Sequence, residues 1–261
     1  MSKKMLQKGK NFLTSLAGIA LIIVIWDLAV RFTSFSRIFP SPGSVFRCII
    51  ESFYTPLGNY TMLGHMGFSL KRVMTGFVVG SVLGILTGVL IGRSRLAESI
   101  IRPIYEIIRP IPSVAWIPLA IIWFGIGEKA KIFIIFMAVF STIVVQVYSG
   151  AKRVDSELNG VAYMLGATER KTFVNVVLPS CVPYIFTGLH TALSGGWMAV
   201  LAAEMISARE GIGWVITAGQ EDANMTLVIA GIVVIATIGL LLSTIMHNIE
   251  RVLCSWRVKG V

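Results

Sequence analysis

Charge is scarce in this chain. Of its 261 residues only 14% are Asp, Glu, Lys or Arg, where a soluble domain carries about 25%. A water-soluble fold of this length must cover itself with polar groups. This chain is 55% hydrophobic, with a mean hydropathy of +0.80, so a water-soluble enzyme is excluded. Cysteine is also rare: Cys48, Cys181 and Cys254 have no CxxC or metal-like spacing, which leaves three isolated thiols and no metal site. The phosphate loop GxxxxGK[ST] is absent; Gly9-Lys10 is followed by Asn11. The chain therefore binds no ATP by that route and needs no cofactor of its own. No nucleophile–base or metal spacing occurs, which weighs against an intramembrane enzyme, and no convincing internal repeat, which weighs against an ion-coupled carrier.

Lys and Arg number 23 against 13 acidic residues, a formal net charge of +10. A basic excess can mark a nucleic-acid partner. The long charge-free runs cannot be the surface of a soluble module, so no nucleic acid is expected.

A bilayer core of about 30 Å takes about 20 apolar helical residues. Runs of that kind predict an all-α, polytopic helical bundle with about six transmembrane spans, near residues 12–32, 72–92, 100–124, 131–150, 183–206 and 224–247. The third is irregular, holding Arg102, Glu106 and Arg109 with Pro103, Pro110, Pro112 and Pro118. Proline removes a donor and clashes with the preceding turn. The freed carbonyls need partners inside the protein, so a kinked or broken helix is expected there. In the fifth run, Pro179 and Pro183 place the helix start near Pro183. Met1 to Lys10 is basic, as in a signal peptide, but the apolar run that follows lacks a good small-x-small cleavage site, so a retained helix is expected.

With the N-terminus inside, the inner segments hold fourteen Lys and Arg and the outer ones eight, with Arg109 inside the third span. The inner set includes Arg153, Arg257 and Lys259; the outer includes Arg37, Lys71 and Arg72. Both termini are then cytoplasmic, in a multi-pass cell-membrane protein.

Two patterns carry architecture. Gly76, Gly80, Gly84, Gly88 and Gly92 recur every four residues, a spacing that lets another helix backbone approach; general tolerance of glycine in membrane helices is the bland alternative. The second pattern is a polar inner segment, 152–179. Asp155 or Ser156 can cap a helix, with Glu157 in its first turn. Leu158, Val161, Ala162 and Leu165 make an apolar stripe. Gly166 allows a left-handed end, and Thr168 with Glu169 can cap a second short helix that Pro179 terminates. The result is a rigid knob for a partner, or else a surface helix resting on its own bundle or on lipid.

This segment resembles the signature of permease subunits of ATP-binding cassette importers: EAA, three residues, Gly, nine residues, Ile, any residue, Leu-Pro. Here Gly166 is followed by nine residues and then Val176, Val177, Leu178 and Pro179. Gly160, Val161 and Ala162 stand in place of Glu-Ala-Ala, keeping only its last alanine, which leaves open any contact that the family's glutamate makes. The stretches SLKRVMTGFVVG (69–80), RPIPSVAWIPLAIIWFGIGEKAK (109–131), AAEM (202–205) and GIG (211–213) resemble the nitrate/sulfonate/taurine-type permeases, from Phe39 to Trp256. The resemblance implies a type I importer permease, a second permease copy, cytoplasmic ATPase subunits and an extracytoplasmic substrate-binding protein. It also implies that Gly160, Val161, Ala162, Leu165, Gly166, Ala167, Leu178 and Pro179 form the coupling helix region that sits in a groove of the ATPase.

A charge at the bilayer centre costs about 2.5 to 3.5 kcal/mol on insertion scales, so ionisable residues in spans face the interior or a water path. Asp27 is open between capping and function. Glu204 is open between function and a structural role, pairing with Arg209 or capping backbone donors. His190 and His247 read first as satisfied core or interfacial histidines. Arg109 either contacts a solute or holds carbonyls freed at the kink. Trp116, Trp123, Gln146 and Trp197 are further lining candidates, with Trp123 read first as a belt anchor. An ion-coupled carrier and a non-transporting scaffold are the alternative functions, and the solute is not readable.

Overall fold

The computed structural model describes residues 3–32, 39–152 and 156–253. Arg37, Arg153, Asp155, Cys254, Trp256, Arg257 and Lys259 lie outside the described residues, as do the side chains of Ser156, Glu157 and Leu158.

Eleven α-helices carry the described chain, and no strand occurs among these residues. They are α1 (Lys3–Phe32), α2 (Pro42–Tyr54), α3 (Met62–Arg93), α4 (Arg95–Ile108), α5 (Ile117–Phe124), α6 (Glu128–Lys152), α7 (Ser156–Met164), α8 (Glu169–Thr172), α9 (Leu178–Ser207), α10 (Ile212–Glu221) and α11 (Met225–Leu253). In water such apolar helices would collapse face to face; here large side chains point outward along them. Ile22 on α1, Leu86 on α3 and Leu240 on α11 are each more than 60% exposed, the surface expected of a protein whose solvent is lipid.

The chain forms two compact units. The first comprises Met1–Leu63 and Val215–Val234. Within it Ser41 caps α2 by accepting from the Ser44 N–H at 3.2 Å, and Pro42 opens the helix where no N–H is needed. Trp26 of α1 donates its indole N–H to the Pro40 carbonyl at 3.1 Å. The end of α10 turns into α11 through Asn224, whose side chain accepts from the Leu227 N–H at 3.1 Å.

The second unit, Gly64–Trp214 with Ile235–Val261, holds the glycine pattern. A Cβ built on Gly76 would lie 2.6 Å from Ile135, on Gly80 2.8 Å from Val139, on Gly84 3.0 Å from Ile143 and on Gly88 2.8 Å from Val147. Gly92 lies against Ala151 in the same way. Both ladders advance by four, so a groove on α3 receives a ridge of α6 along its whole length. On its other side α6 meets α9, where Gly188 faces the Gln146 Cβ and Gly196 faces Val139, both at 3.0 Å from a built Cβ.

The third span is broken, one of the two forms expected of its prolines: α4 and the helical run Ser113–Phe124 meet at 91°, with Pro110 and Pro112 at the break. The fifth begins at Leu178, not near Pro183. Pro179 does not terminate the short helix before it. The chain runs from α8 through a π-helical turn, Phe173–Val177, directly into α9. Pro179 takes the second helical position, where a missing N–H costs little, and the wide π turn absorbs the mismatch.

The α3 groove generates a prediction. Gly84→Leu should lower stability by about 1–3 kcal/mol, the range for overpacking, whereas Gly67→Leu, with open space around its Cβ, should leave it unchanged. Thermal unfolding of both variants in detergent checks this.

Candidate functional site

At one end of the second unit, α3 presents a polar face: His65, Ser69 and Arg72, at helical spacing and all at most 1% exposed. Arg72 Nη1 donates to Glu204 Oε1 and to the Glu210 carbonyl, both at 2.7 Å. Its Nη2 donates to Glu128 Oε1 at 2.6 Å and to Glu210 Oε1 at 2.8 Å, and its Nε to Glu128 Oε2 at 2.8 Å. Lys131 adds a contact to Glu128 at 3.0 Å. One guanidinium thus gathers carboxylates from α6, α9 and the turn before α10, using the planar fork that Lys lacks.

The same face holds the turn. Ser69 Oγ donates to the Glu204 carboxylate at 2.9 Å and accepts from the Ile212 N–H at 2.9 Å. His65 Nδ1 accepts from the Gly211 N–H at 3.1 Å, and Glu204 Oε2 accepts from the Gly213 N–H at 3.0 Å. Gly211 has φ +114°, and a Cβ there would fall on the Glu204 carboxylate, so both conformation and space demand glycine. Glu204 pairs with Arg72 rather than Arg209, and the capping of backbone donors is real. Arg72, counted as a loop cation in the sequence, is a buried helical residue because three carboxylates compensate it.

The opposite end carries the 152–179 segment. Helix α7 ends on Gly166 at φ +77°, with the Gly166 N–H donating to the Tyr163 carbonyl at 2.9 Å and the Ala167 N–H to Ala162 at 3.0 Å. This is a complete Schellman end. Thr168 caps α8 by accepting from the Lys171 N–H. The apolar residues around the turn point outward: Met164 is 90% exposed and Leu165 82%. Val161 is exposed too, while Gly160, Ala162 and Ala167 are half-buried. Leu178 and Pro179 stand at the start of α9. The Arg93 guanidinium stacks on Phe173 at 4.6 Å and holds this segment to the end of α3.

Between the two ends lies a cavity of about 370 Å³ lined in part by Arg109, Trp116, Ser141, Thr142 and Met198. A second, of about 270 Å³, is lined by Arg109, Ser141, Thr142, Val145 and Gln146. Arg109, Trp116 and Gln146 are therefore brought together. Trp197 is elsewhere, donating its indole N–H to the Ile235 carbonyl at 3.0 Å against Gly239, and Glu204 belongs to the ionic cluster.

The remaining ionisable and aromatic candidates are placed locally. Asp27 pairs with Arg31 at 2.7 Å. His190 contacts Ser243 Oγ at 3.1 Å and His247 contacts Arg251 at 3.4 Å. Trp123 joins a ring cluster with Phe124 and Phe133. Cys181 is buried. Burial, with Glu51 nearby, pushes the Cys48 thiol above its ordinary pKa and keeps it protonated.

A bundle of membrane-length helices, one broken, bearing an exposed apolar turn at one end, defines a polytopic membrane protein built to engage a partner. Residues 80–253 match the model of the binding-protein-dependent transport system inner membrane component, and the chain belongs to that family: it is a multi-pass permease of the ATP-binding cassette importer type. An ABC transporter permease protein of Methanocaldococcus jannaschii is 37% identical over 239 residues, covering 91% of this chain and 90% of the relative. The taurine transport system permease of Escherichia coli is 34% identical over 245 residues, 93% and 89%. The bicarbonate transport system permease of Synechococcus elongatus is 32% identical over 260 residues, 95% and 92%. In fold the chain is similar to a methionine ABC transporter structure in an inward-facing conformation, at TM-score 0.62 and 21% identity over 71% of this chain and 92% of that one.

The ionic cluster was missed in the sequence. His65, Ser69, Glu128, Lys131 and Glu210 gave no separate motif; the one signal was Arg72 seven residues after His65, on one helical face. Glu204→Ala should cost about 3–5 kcal/mol, because it leaves the Arg72 charge buried with one carboxylate fewer. Arg72→Lys should recover only part of the loss from Arg72→Met. Thermal stability of the detergent-solubilised variants, with exposed Lys129→Ala as control, measures both.

Proposed function

We propose that this chain forms the membrane pathway of an importer for a small solute of the taurine, sulfonate or bicarbonate kind, working by alternating access. ATP hydrolysis is assigned to separate cytoplasmic ATPase subunits and solute delivery to an extracytoplasmic binding protein. Two copies of the chain form the pathway as a homodimer, with both termini cytoplasmic. The observation that carries the reading is the outward-facing apolar turn at Met164–Leu165–Gly166. Apolar side chains this exposed on a polar segment are a contact surface waiting for a partner. The Schellman end makes them rigid, and a π turn joins the segment to α9 without a loop.

The Gly160–Ala162 stretch, where the family's glutamate is missing, leaves this contact mainly apolar. The cavity at Arg109, Trp116 and Gln146 is assigned to the solute path. Trp197 and Glu204 are reassigned to packing and to the ionic cluster. An ion-coupled carrier would need a carboxylate free to bind and release its ion. The described candidates, Asp27 and Glu204, are each committed to an arginine.

Gly166→Val should break coupling. A β-branched residue at φ +77° costs on the order of 1–3 kcal/mol of local strain, enough to unwind the turn while the spans still insert. The expected result is loss of ATPase co-purification, or loss of solute-stimulated hydrolysis in the assembled complex. Retention of both in a correctly inserted variant would sink the reading.

A further inference from the structure

Five cations of the described helices are paired with carboxylates. Arg72, Lys131, Arg102, Lys152 and Arg31 each lie within 4.0 Å of at least one carboxylate. The Arg109 backbone N–H donates to the Tyr105 carbonyl at 2.8 Å, while its side chain makes no ion pair or hydrogen bond among the described residues. It stands at the end of α4, beside the 91° break, and lines both central cavities with Ser141 and Thr142. Ser141 lies thirteen residues after the start of α6 and eleven before its end. At 1.5 Å per residue this is roughly 20 Å from one end and 17 Å from the other, near mid-depth.

A lone guanidinium at mid-depth cannot face lipid without a large cost, so it faces water and needs a counter-charge. No carboxylate lines either cavity. Asp27 is paired with Arg31, Glu98 with Lys152, Glu106 with Arg102, and Glu128 and Glu204 with Arg72. Gln146, on the same cavity wall, has an amide that can donate but no negative charge.

We infer that Arg109 is the counter-charge of a mid-depth anion site, which takes a singly charged oxyanion head group from the solute as it crosses. This rests on the reading of the cavity as the solute path. The group is bound by Arg109, with the Gln146 amide as a second donor. Because a single uncompensated cation faces the cavity, a monoanion is neutralised there and a cation is repelled.

The test needs no knowledge of the solute. In the assembled transporter in native membranes, with Cys48, Cys181 and Cys254 replaced by Ala, Ser141→Cys is treated with an anionic sulfonatoethyl and a cationic trimethylammonioethyl methanethiosulfonate. Each rate is normalised to that reagent's rate with a small free thiol. The expected result is an anion preference of about ten-fold, the scale of a nearby unit charge in a wet site. That preference should be kept in Arg109→Lys and fall to about one in Arg109→Gln. Equal rates with Arg109 present would overturn the anion site while leaving the cavity on an aqueous path. No modification by either reagent would overturn that path assignment, and the anion site with it.

Discussion

A guanidinium buried among membrane helices must be answered in full, and Arg72 is the point on which this unit turns. Hydrophobic burial gives little reason for one apolar helix to prefer another over lipid, so specific association needs shape and polar pairing. Arg72 supplies the pairing, collecting Glu128 from the start of α6, Glu204 from the end of α9, and Glu210 with its carbonyl from the turn between α9 and α10. Each bond limits the rotation and depth of a different helix. Without it, Glu204, which accepts from the Gly213 N–H, would be a buried carboxylate with no cation beside it.

Shape acts along the rest of the same helices. The five-glycine groove of α3 brings the ridge Ile135, Val139, Ile143, Val147 and Ala151 against its backbone, and α6 is then fixed for α9 to pack on. The ionic cluster sets the register at one end; the groove maintains it to the other, where Arg93 stacks on Phe173. The cavity at Arg109 lies between these two constraints, at the break between α4 and the run Ser113–Phe124 where Pro110 and Pro112 stand.

Much of this was legible in the residues. The apolar runs marked every long helix, the glycine interval marked the groove, and Gly166 with Thr168 marked the turn. Those signals are local, written within a few residues of each other. The ionic cluster was not legible because the carboxylates that Arg72 gathers lie 56 to 138 positions from it, and Arg72 alone reads as an ordinary loop charge. The start of α9 was misplaced for a related reason: proline was weighed as a terminator, whereas its position relative to the first helical turn decides whether it stops a helix or starts one.

Continuity of α8, the π turn and α9 has a mechanical meaning. The run Glu169–Ile206 is a single rod of 38 residues, about 57 Å at the α-helical rise. One of its tips sits three residues beyond Gly166; near the other stands Glu204, gripping Arg72. A push at the first tip has no loop in which to dissipate, so it travels as tilt or translation of the whole rod. The charge cluster would then be the fixed point at the far end, with the cavity at Arg109 between it and the pushed tip.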